Sequence, residues 1–467
     1  MQNAIVQMME VAPDDRGLQW LKDSLQAAIE LELSTLPPYL CAMWSIRDTS
    51  AGSPGATAYK LIDSVVKQEM AHLGLVCNML TAIGGIPAIA GGYDKNIHYP
   101  GHLPGGVRPE LTVFLSGLTK SYVHDVLMQI EFPENEIVFE MALAGPTFPT
   151  IGAFYDALKA AFLQVAPQVD KDKQLTSSIG LTKFLVLKDV TDAIDLIKSQ
   201  GEGSSKSPDD SSGELAHYYR FAELYVGSTL VATAGGGFSF SGAPIPFPDT
   251  VTMAPIPRGG YTGVSSAVAA LLNAFNGLFS GMLDDLDTAW KNIDQTSLTA
   301  AIQKMPQLKK AAQDIMAKAL PKAANGFYGP NFLYLPVSQR TAAPAAGGPQ
   351  AVGGPLVSPV FSDITTLLAT LTGADPNIDT GSPHGAFWKD DYATFMALKT
   401  DGWGVPGNLV VKGDPDHSVL VQALSGTGPF GAFPPQMPDI GSDANGRLAT
   451  PTELQMVKTW ITNNCPK

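Results

Sequence analysis

Two stretches, QEMAHLGLVCNML at residues 68–80 and GELAHYYRFAELY at residues 213–225, decide how this chain is expected to fold. Each combines a Glu-x-x-His motif with apolar residues that recur three and four positions apart, which predicts an amphipathic helix. The motif residues take the place of apolar residues on the face that should be buried. They are Glu69, His72, Glu214 and His217.

A third predicted helix, residues 16–47, carries Glu32 on the same face as Leu25, Ala28 and Tyr39. Burying a carboxylate costs several kcal/mol unless the group is paired or bound to a metal. Three helices that each bury a carboxylate therefore indicate a metal ion shared between them. Two Glu-x-x-His pairs plus a Glu from each of two other helices is the carboxylate-bridged di-iron arrangement of four-helix bundles. Mixed oxygen and nitrogen ligands favour Fe or Mn over Ca or Mg.

Helical periodicity continues over the first 340 residues and predicts a mainly α protein. The predicted helices cover residues 16–47, 57–83, 110–131, 150–164, 177–199, 213–228, 264–292 and 297–320. Residues 229–262, rich in Gly, Pro and Phe, are expected to be irregular with short strands and to shape the mouth of a pocket. His124 lies outside both motifs, and we expect it to partner Asp125 rather than a metal.

Two stretches interrupt the helical pattern and divide the chain. Residues 199–213 contain no apolar side chain, so we expect an exposed loop or a disordered stretch, inserted within one four-helix core spanning residues 16–228. Residues 341–357 are Ala-, Pro- and Gly-rich and predict a linker. The expected domains are therefore 1–340 and 358–467, the second small and mostly α.

Composition excludes several classes of protein. The chain has 467 residues, 45% of them apolar, which allows two to four domains at about 150 residues each and rules out global disorder. A net charge of −14 argues against nucleic acid or membrane surfaces as partners. Three cysteines without a CxxC motif exclude a disulfide framework, structural zinc and c-type haem. The first residues do not fit a signal peptide, so we expect a cytoplasmic protein.

The chain also resembles the ferritin-like family of iminophenyl-pyruvate dimer synthases, which includes the dimerising enzymes of violacein and rebeccamycin biosynthesis. The resemblance runs in order from residue 16 to about residue 335. Its motifs are AIELELSTLPPYL, QEMAHLGLVCNMLTAIGGIP, YPGHLP, IEFPE, PTIGAFY and GELAHYYRFAE. It implies a ferritin-like four-helix bundle with additional helices, and a soluble oxidative enzyme of secondary metabolism. By the same resemblance, the family's metal-site positions are occupied here by Glu32, Glu69, His72, Glu214 and His217.

One departure from the family pattern concerns the remaining bundle helix. Where the family carries Gly-Glu-Phe-Tyr, this chain has Ala153 between Gly152 and Phe154, and alanine cannot bind a metal. Asp156, one turn further on, is the first candidate substitute, ahead of Tyr155. The sequence therefore predicts one firmly held iron and a second weakly held one, and predicts that Ala153→Glu would raise the iron stoichiometry.

The last 110 residues resemble small cytochrome c-like domains in the order of a GDPDHSVL segment, a Met-Pro segment and a terminal Trp-Ile helix. The haem-attachment motif is missing, so covalent haem is not expected. His384 and Met437 are the one His–Met pair that could bind a non-covalent haem, but a haem-free domain that docks or dimerises is the favoured interpretation.

Together these features predict an iron-dependent oxidase or oxygenase that acts with O₂ on a small, amino-acid-derived substrate, with a possible homo-oligomer. Two alternatives stay open. One is a metal-binding protein without turnover, and the other is a degenerate bundle that serves as a scaffold.

Overall fold

The computed structural model describes residues 4–133, 150–203, 207–320, 326–340, 359–372, 386–401, 405, 407–425, 449 and 451–467. The chain divides into two compact units, Met1–Ala346 and Gly347–Lys467. Each unit has its own cluster of buried apolar side chains.

Helices make up most of the first unit, which confirms the prediction of a mainly α protein. One helix, numbered α5 in chain order, is made of three consecutive parts. It begins with Lys120–Tyr122, continues as a π-helix over Val123–Leu127 and ends with Met128–Ile130. The other helices are α1 (Ala4–Glu10), α2 (Leu18–Trp44), α3 (Pro54–Ala82), α4 (Ile89–Asn96), α6 (Ile151–Val165), α7 (Leu187–Glu202), α8 (His217–Val226), α9 (Ser266–Asn292) and α10 (Gln295–Met316).

Local sequence explains where several of these helices begin and end. The Ser53 side chain accepts a hydrogen bond from the Ala56 amide, and proline at the first helical position suits a helix start, so α3 begins there. Thr150 caps α6 in the same way, through the Ala153 amide. Gly227 ends α8 in a left-handed conformation that glycine adopts without strain.

Helices α2, α3, α5 and α8 form the core of the first unit. The long helices α2 and α3 pack along each other, α8 contacts both α3 and α5, and α6 and α7 pack as a pair beside this core. Helix α6 also contacts α2, and α7 contacts α8. The pair α6–α7 therefore covers the side of the bundle on which the metal-ligand candidates of α2 and α3 lie.

A Pro-Pro step inside α2 leaves carbonyl groups without their usual helical donors. The carbonyl of Ser34, whose helical partner would be the amide of residue 38, accepts a hydrogen bond of 2.6 Å from the Tyr99 hydroxyl instead. The helix therefore continues through Pro37 and Pro38 to Trp44, with Tyr39 fully buried about two turns after the metal-ligand candidate Glu32.

The structure corrects three predicted boundaries. The helix predicted over 110–131 begins only at Lys120, and Val113 pairs with Gly101 in an isolated β-bridge. The helix predicted over 177–199 is α7, which begins at Leu187 and runs to Glu202. The predicted loop 199–213 is therefore helical at its start, and it is not fully exposed, because Asp210 is 7% exposed. Its side chain accepts hydrogen bonds from the amides of Ser212 and Glu214, which lets a polar loop fold inward.

Residues 229–262 are irregular, as predicted, with one antiparallel pair of short strands, β1 (Val231–Ala232) and β2 (Phe238–Ser239). Helices α9 and α10 pack against each other. Among the described helices, α9 has the length and composition to cross a membrane, but 44% of its most apolar stretch is buried inside the protein.

In the second unit, aromatic side chains form much of the core. Phe395 and Trp460 are fully buried, and Phe361 contacts both. The helices are α11 (Phe361–Leu371), α12 (Tyr392–Ala397), α13 (Val419–Ser425) and α14 (Pro451–Thr462). The predicted linker 341–357 and the haem-ligand candidates His384 and Met437 lie outside the described residues.

Candidate metal centre

Five titratable side chains from four helical segments meet in the middle of the bundle. All five are buried, with at most 8% of each residue exposed. They comprise Glu32 from α2, Glu69 and His72 from α3, Glu131 directly after α5, and His217 at the start of α8. With all three carboxylates ionised and both imidazoles neutral, as metal binding requires, the five groups carry a charge of −3, which is costly to bury without a cation.

The five residues form two overlapping groups, within each of which the candidate ligand atoms lie within 4.8 Å of one another. We name Glu32, Glu69 and His72 the first half-site, and Glu69, Glu131 and His217 the second half-site. Glu69 belongs to both, since its Oε1 lies 3.4 Å from His72 Nδ1 and 2.9 Å from His217 Nδ1. A carboxylate shared in this way can bridge two ions.

Both histidines direct Nδ1 inward and hold Nε2 outward. Nε2 of His72 lies 2.7 Å from Gln200 Oε1, and Nε2 of His217 lies 2.9 Å from Gln68 Oε1. Because an amide oxygen only accepts hydrogen bonds, each Nε2 carries the proton. The Nδ1 atom of each neutral ring then has a free lone pair that faces carboxylate oxygens, which is the arrangement of a metal-ligating histidine.

The tautomer of His217 depends on the orientation of the Gln68 amide. Gln68 donates from its Nε2 to Glu214 Oε2 at 3.1 Å, and Arg220 holds the same Glu214 oxygen at 3.1 Å. The amide oxygen of Gln68 is thereby turned toward His217. Arg220 also donates to Ser64 Oγ at 2.8 Å, so the chain of contacts is anchored on α3.

Hydroxyl groups hold the carboxylates of the cluster. The Tyr155 hydroxyl donates a short hydrogen bond to Glu32, and the Tyr39 hydroxyl donates one to Glu131. The Thr35 hydroxyl donates to Glu69 Oε2 at 2.9 Å. Each carboxylate is thus oriented by a partner outside the metal-ligand set.

The pKa values of the five cluster residues are all shifted, because the groups are buried and lie close to one another. Burial, reinforced by repulsion from Glu69, raises the pKa of Glu32 to about 7. Burial and Glu69 also raise the pKa of Glu131. Burial would raise the pKa of Glu69 too, but the two histidines outweigh it and the pKa is lowered. Burial opposes the charged form of both imidazoles, yet the surrounding carboxylates raise the pKa of His72 and of His217.

One orphaned atom tests whether a metal fits. Nδ1 of His217 is buried and has no hydrogen-bond partner, although Glu69 Oε1 lies 2.9 Å away and Glu131 Oε2 lies 3.6 Å away. Three donor atoms that converge without hydrogen-bond geometry surround a position for a cation rather than for a shared proton. The mixed oxygen and nitrogen donors suit iron or manganese, so these residues fit the di-metal centre that the spacing of the motifs predicts.

The structure brings together four of the six predicted ligands, Glu32, Glu69, His72 and His217. It does not bring Glu214 to the cluster. Because α8 begins at His217, residue 214 lies in the preceding turn and not one helical turn away on the same face. Its side chain is 61% exposed, so the prediction of a buried-face carboxylate at this position is wrong.

Asp156 does not reach the cluster either. Its side chain is 55% exposed and forms an ion pair with Lys198 at 2.5 Å. Glu131 is the carboxylate that the prediction missed, and it removes the need for a ligand at Ala153 or Asp156. Its signal in the sequence is an acidic residue between Ile130 and Phe132, at the end of an apolar helix. His124 is held by Asp125, 2.7 Å from Nδ1 to Oδ1, as predicted.

A small cavity leads to the cluster. Four of the five cluster residues line it, all except His217. Its wall also includes Tyr155 of α6, and Lys198 and Gly201 of α7, which lie close to Gln200 in the sequence. Its volume is about 40 Å³. A water molecule needs about 10–15 Å³ measured in this way, so the cavity has room for a few waters or one diatomic molecule.

The wall of the cavity depends on a glycine. A side chain at Gly152 would place its Cβ 2.6 Å from both carboxylate oxygens of Glu202. Without it, Glu202 accepts a hydrogen bond of 2.8 Å from the Gly152 amide, which joins the end of α7 to the start of α6.

Comparisons with known proteins point to one family. Residues 25–226 match the family model described as Ferritin-like. A crystal structure of a ferritin-like protein from Caulobacter vibrioides is similar, with 22% sequence identity and a TM-score of 0.45 over 66% of this chain and 97% of that chain. No curated protein matches. The matched residues contain all five cluster residues, and this part of the chain is similar to the Ferritin-like family.

Proposed function

We propose that the protein is a di-iron oxidoreductase that acts with O₂ on a small substrate. The observation that carries this proposal is the pair of half-sites joined by Glu69, each with a carboxylate and an inward-facing Nδ1 of its own. Iron bound there would supply O₂ activation and one-electron steps. Resemblance to the dimer synthase family adds the substrate class, a compound derived from an aromatic amino acid.

The chain's own residues would perform three tasks in such an enzyme. The carboxylates and imidazoles would hold the ions, and Glu69 belongs to both half-sites. Tyr39, Tyr155 and Thr35 orient the carboxylates through hydrogen bonds. The pair α6–α7 limits the space beside the cluster to a small cavity that a small reactant can enter.

The test begins with anaerobic reconstitution of the full-length protein with Fe(II), followed by measurement of bound iron and of O₂ consumption. We expect close to two irons per chain, and O₂ uptake that rises when an imine or keto acid derived from an aromatic amino acid is added. Iron without uptake would indicate a metal-binding protein without turnover. Failure to bind any metal would indicate a scaffold.

A further inference from the structure

The contacts that surround the two half-sites come from different parts of the fold. In the second half-site, the partners of Glu131 and His217 are Tyr39 and Gln68, which belong to the bundle helices α2 and α3. In the first half-site, the partners of Glu32 and His72 are Tyr155 and Gln200. Tyr155 lies on α6 and Gln200 on α7.

The same pair α6–α7 walls the cavity. Ile151, Gly152 and Tyr155 of α6 and Ile197 and Gly201 of α7 line it. A molecule that enters the cavity therefore touches the helices that orient Glu32 and His72. The cavity also exposes the whole ligand set of the first half-site, whereas it does not reach His217, which is fully buried.

The outer contacts of the second half-site form a chain of hydrogen bonds. Gln68 is fixed by Glu214, which Arg220 holds in turn, and these contacts run within and between the bundle helices and the turn before α8. Its outer contacts do not involve the residues that line the cavity on α6 and α7. The cavity also reaches Glu69 and Glu131 of the second half-site, but not His217. Among the described residues, only the first half-site has its complete ligand set in the cavity wall, and only its ligands are hydrogen-bonded to side chains of α6 and α7.

We propose that the two half-sites are unequal: the first half-site binds the small exogenous reactant, and Tyr155 and Gln200 are its positioning residues, which couple the contents of the cavity to Glu32 and His72. This inference rests on the metal centre of the proposed function. It adds that the reactant binds at the first half-site, and that residues of α6 and α7 position the ligands of that half-site.

Matched variants separate the two half-sites. Gln200→Leu and Gln68→Leu each remove the hydrogen-bond acceptor of one histidine with the same change in side chain. Loss of such a partner costs about 10–100-fold in metal affinity. With one equivalent of Co(II), the ion should occupy the second half-site in Gln200→Leu and the first half-site in Gln68→Leu. Azide, a small anion that binds open metal positions, then reports which ion the cavity reaches.

The expected result is that azide changes the visible Co(II) spectrum of Gln68→Leu and leaves that of Gln200→Leu unchanged. Gln200→Glu keeps an acceptor oxygen and should restore the response, which a merely structural role for the residue would not explain. A second matched pair, Tyr155→Phe and Tyr39→Phe, removes the hydrogen bond to Glu32 or to Glu131 instead. This pair replaces the leucine variants if one of those does not fold. Thermal unfolding of every variant is measured alongside.

Equal azide responses in the two leucine variants, or the reverse pattern, would overturn the inference while leaving the metal centre intact. A wild-type protein that takes up no Co(II) or Fe(II) would overturn both. A protein that shows the expected azide pattern but consumes no O₂ with any substrate would overturn the proposed oxidase function and support the inequality of the half-sites.

Discussion

Glu131 and Glu214 offer a direct comparison, because the same substitution, Glu→Gln, removes one negative charge from each with little change in shape. Glu131 is 8% exposed and contributes to the second half-site. Glu214 is 61% exposed and pairs with Arg220. We expect Glu131→Gln to lose the ion of the second half-site and Glu214→Gln to keep both ions.

The magnitude follows from charge and ligand number. The second half-site has two carboxylates, Glu69 and Glu131, so Glu131→Gln removes one of the two negative charges beside its ion. At an effective dielectric constant of about 20, two unit charges about 4 Å apart attract by about 4 kcal/mol. That energy corresponds to about three orders of magnitude in affinity, at about 1.4 kcal/mol for each tenfold change. The amide oxygen still offers a neutral ligand, so we expect a loss of about 10²–10³-fold.

Glu214→Gln should behave differently because its charge lies in water. Exposed ion pairs contribute about 0–1 kcal/mol, which limits the change in affinity to about fivefold. The new amide oxygen can still accept the hydrogen bond from Gln68.

Calorimetric titration of the metal-free full-length proteins with Co(II), in parallel with iron analysis after desalting, measures both quantities. The wild type and Glu214→Gln should show two binding steps, and Glu131→Gln should show one step at the wild-type affinity. If Glu131→Gln binds two ions as tightly as the wild type, or if Glu214→Gln loses one, the placement of Glu131 in the site is wrong.

Three further predictions concern the same centre. His72→Ala and His217→Ala should each reduce bound iron, whereas His124→Ala should not; equal iron in all three would contradict the assignment. Ala153→Glu should leave the stoichiometry unchanged, because residue 153 does not line the cavity and Glu131 already supplies a carboxylate; a gain of iron would show that α6 presents this position inward. Metal affinity should fall as the pH drops, because protons then occupy Glu32, whose pKa burial raises to about 7, and the two imidazoles, whose pKa the carboxylates raise; calorimetry in two buffers of different ionisation enthalpy should detect proton release on binding, and a pH-independent affinity would refute this.

Helical periodicity was sufficient to predict the mainly α fold and four of the five cluster residues. Glu32, Glu69 and His72 lie well inside long helices, α2 and α3, where a spacing of three or four residues places side chains on one face whatever surrounds the helix. His217 was found for a related reason, because it shares the buried face of α8 with Phe221 and Leu224.

Helical periodicity did not predict the positions of side chains next to helix ends. Beyond the end of a helix, residue spacing no longer determines where a side chain points. Extending the pattern of α8 backward by three residues assumed that the helix includes Glu214, but α8 begins at His217. The Asp210 side chain accepts a hydrogen bond from the Glu214 amide at 2.9 Å and holds this segment in a turn. Glu131 follows the last residue of α5, and its role depends on the packing of α5 against α8. No spacing within one helix reports such a contact.

The tertiary structure alone determined what surrounds the ligands. Gln200 and Tyr155 lie more than 120 residues away in sequence from His72 and Glu32, and the packing of α6 and α7 beside the bundle brings them together. Sequence patterns report which face of a helix is buried, since burial follows from the helix's own period. They do not report which polar groups from other helices meet that face, because those contacts are set by the packing of one helix against another.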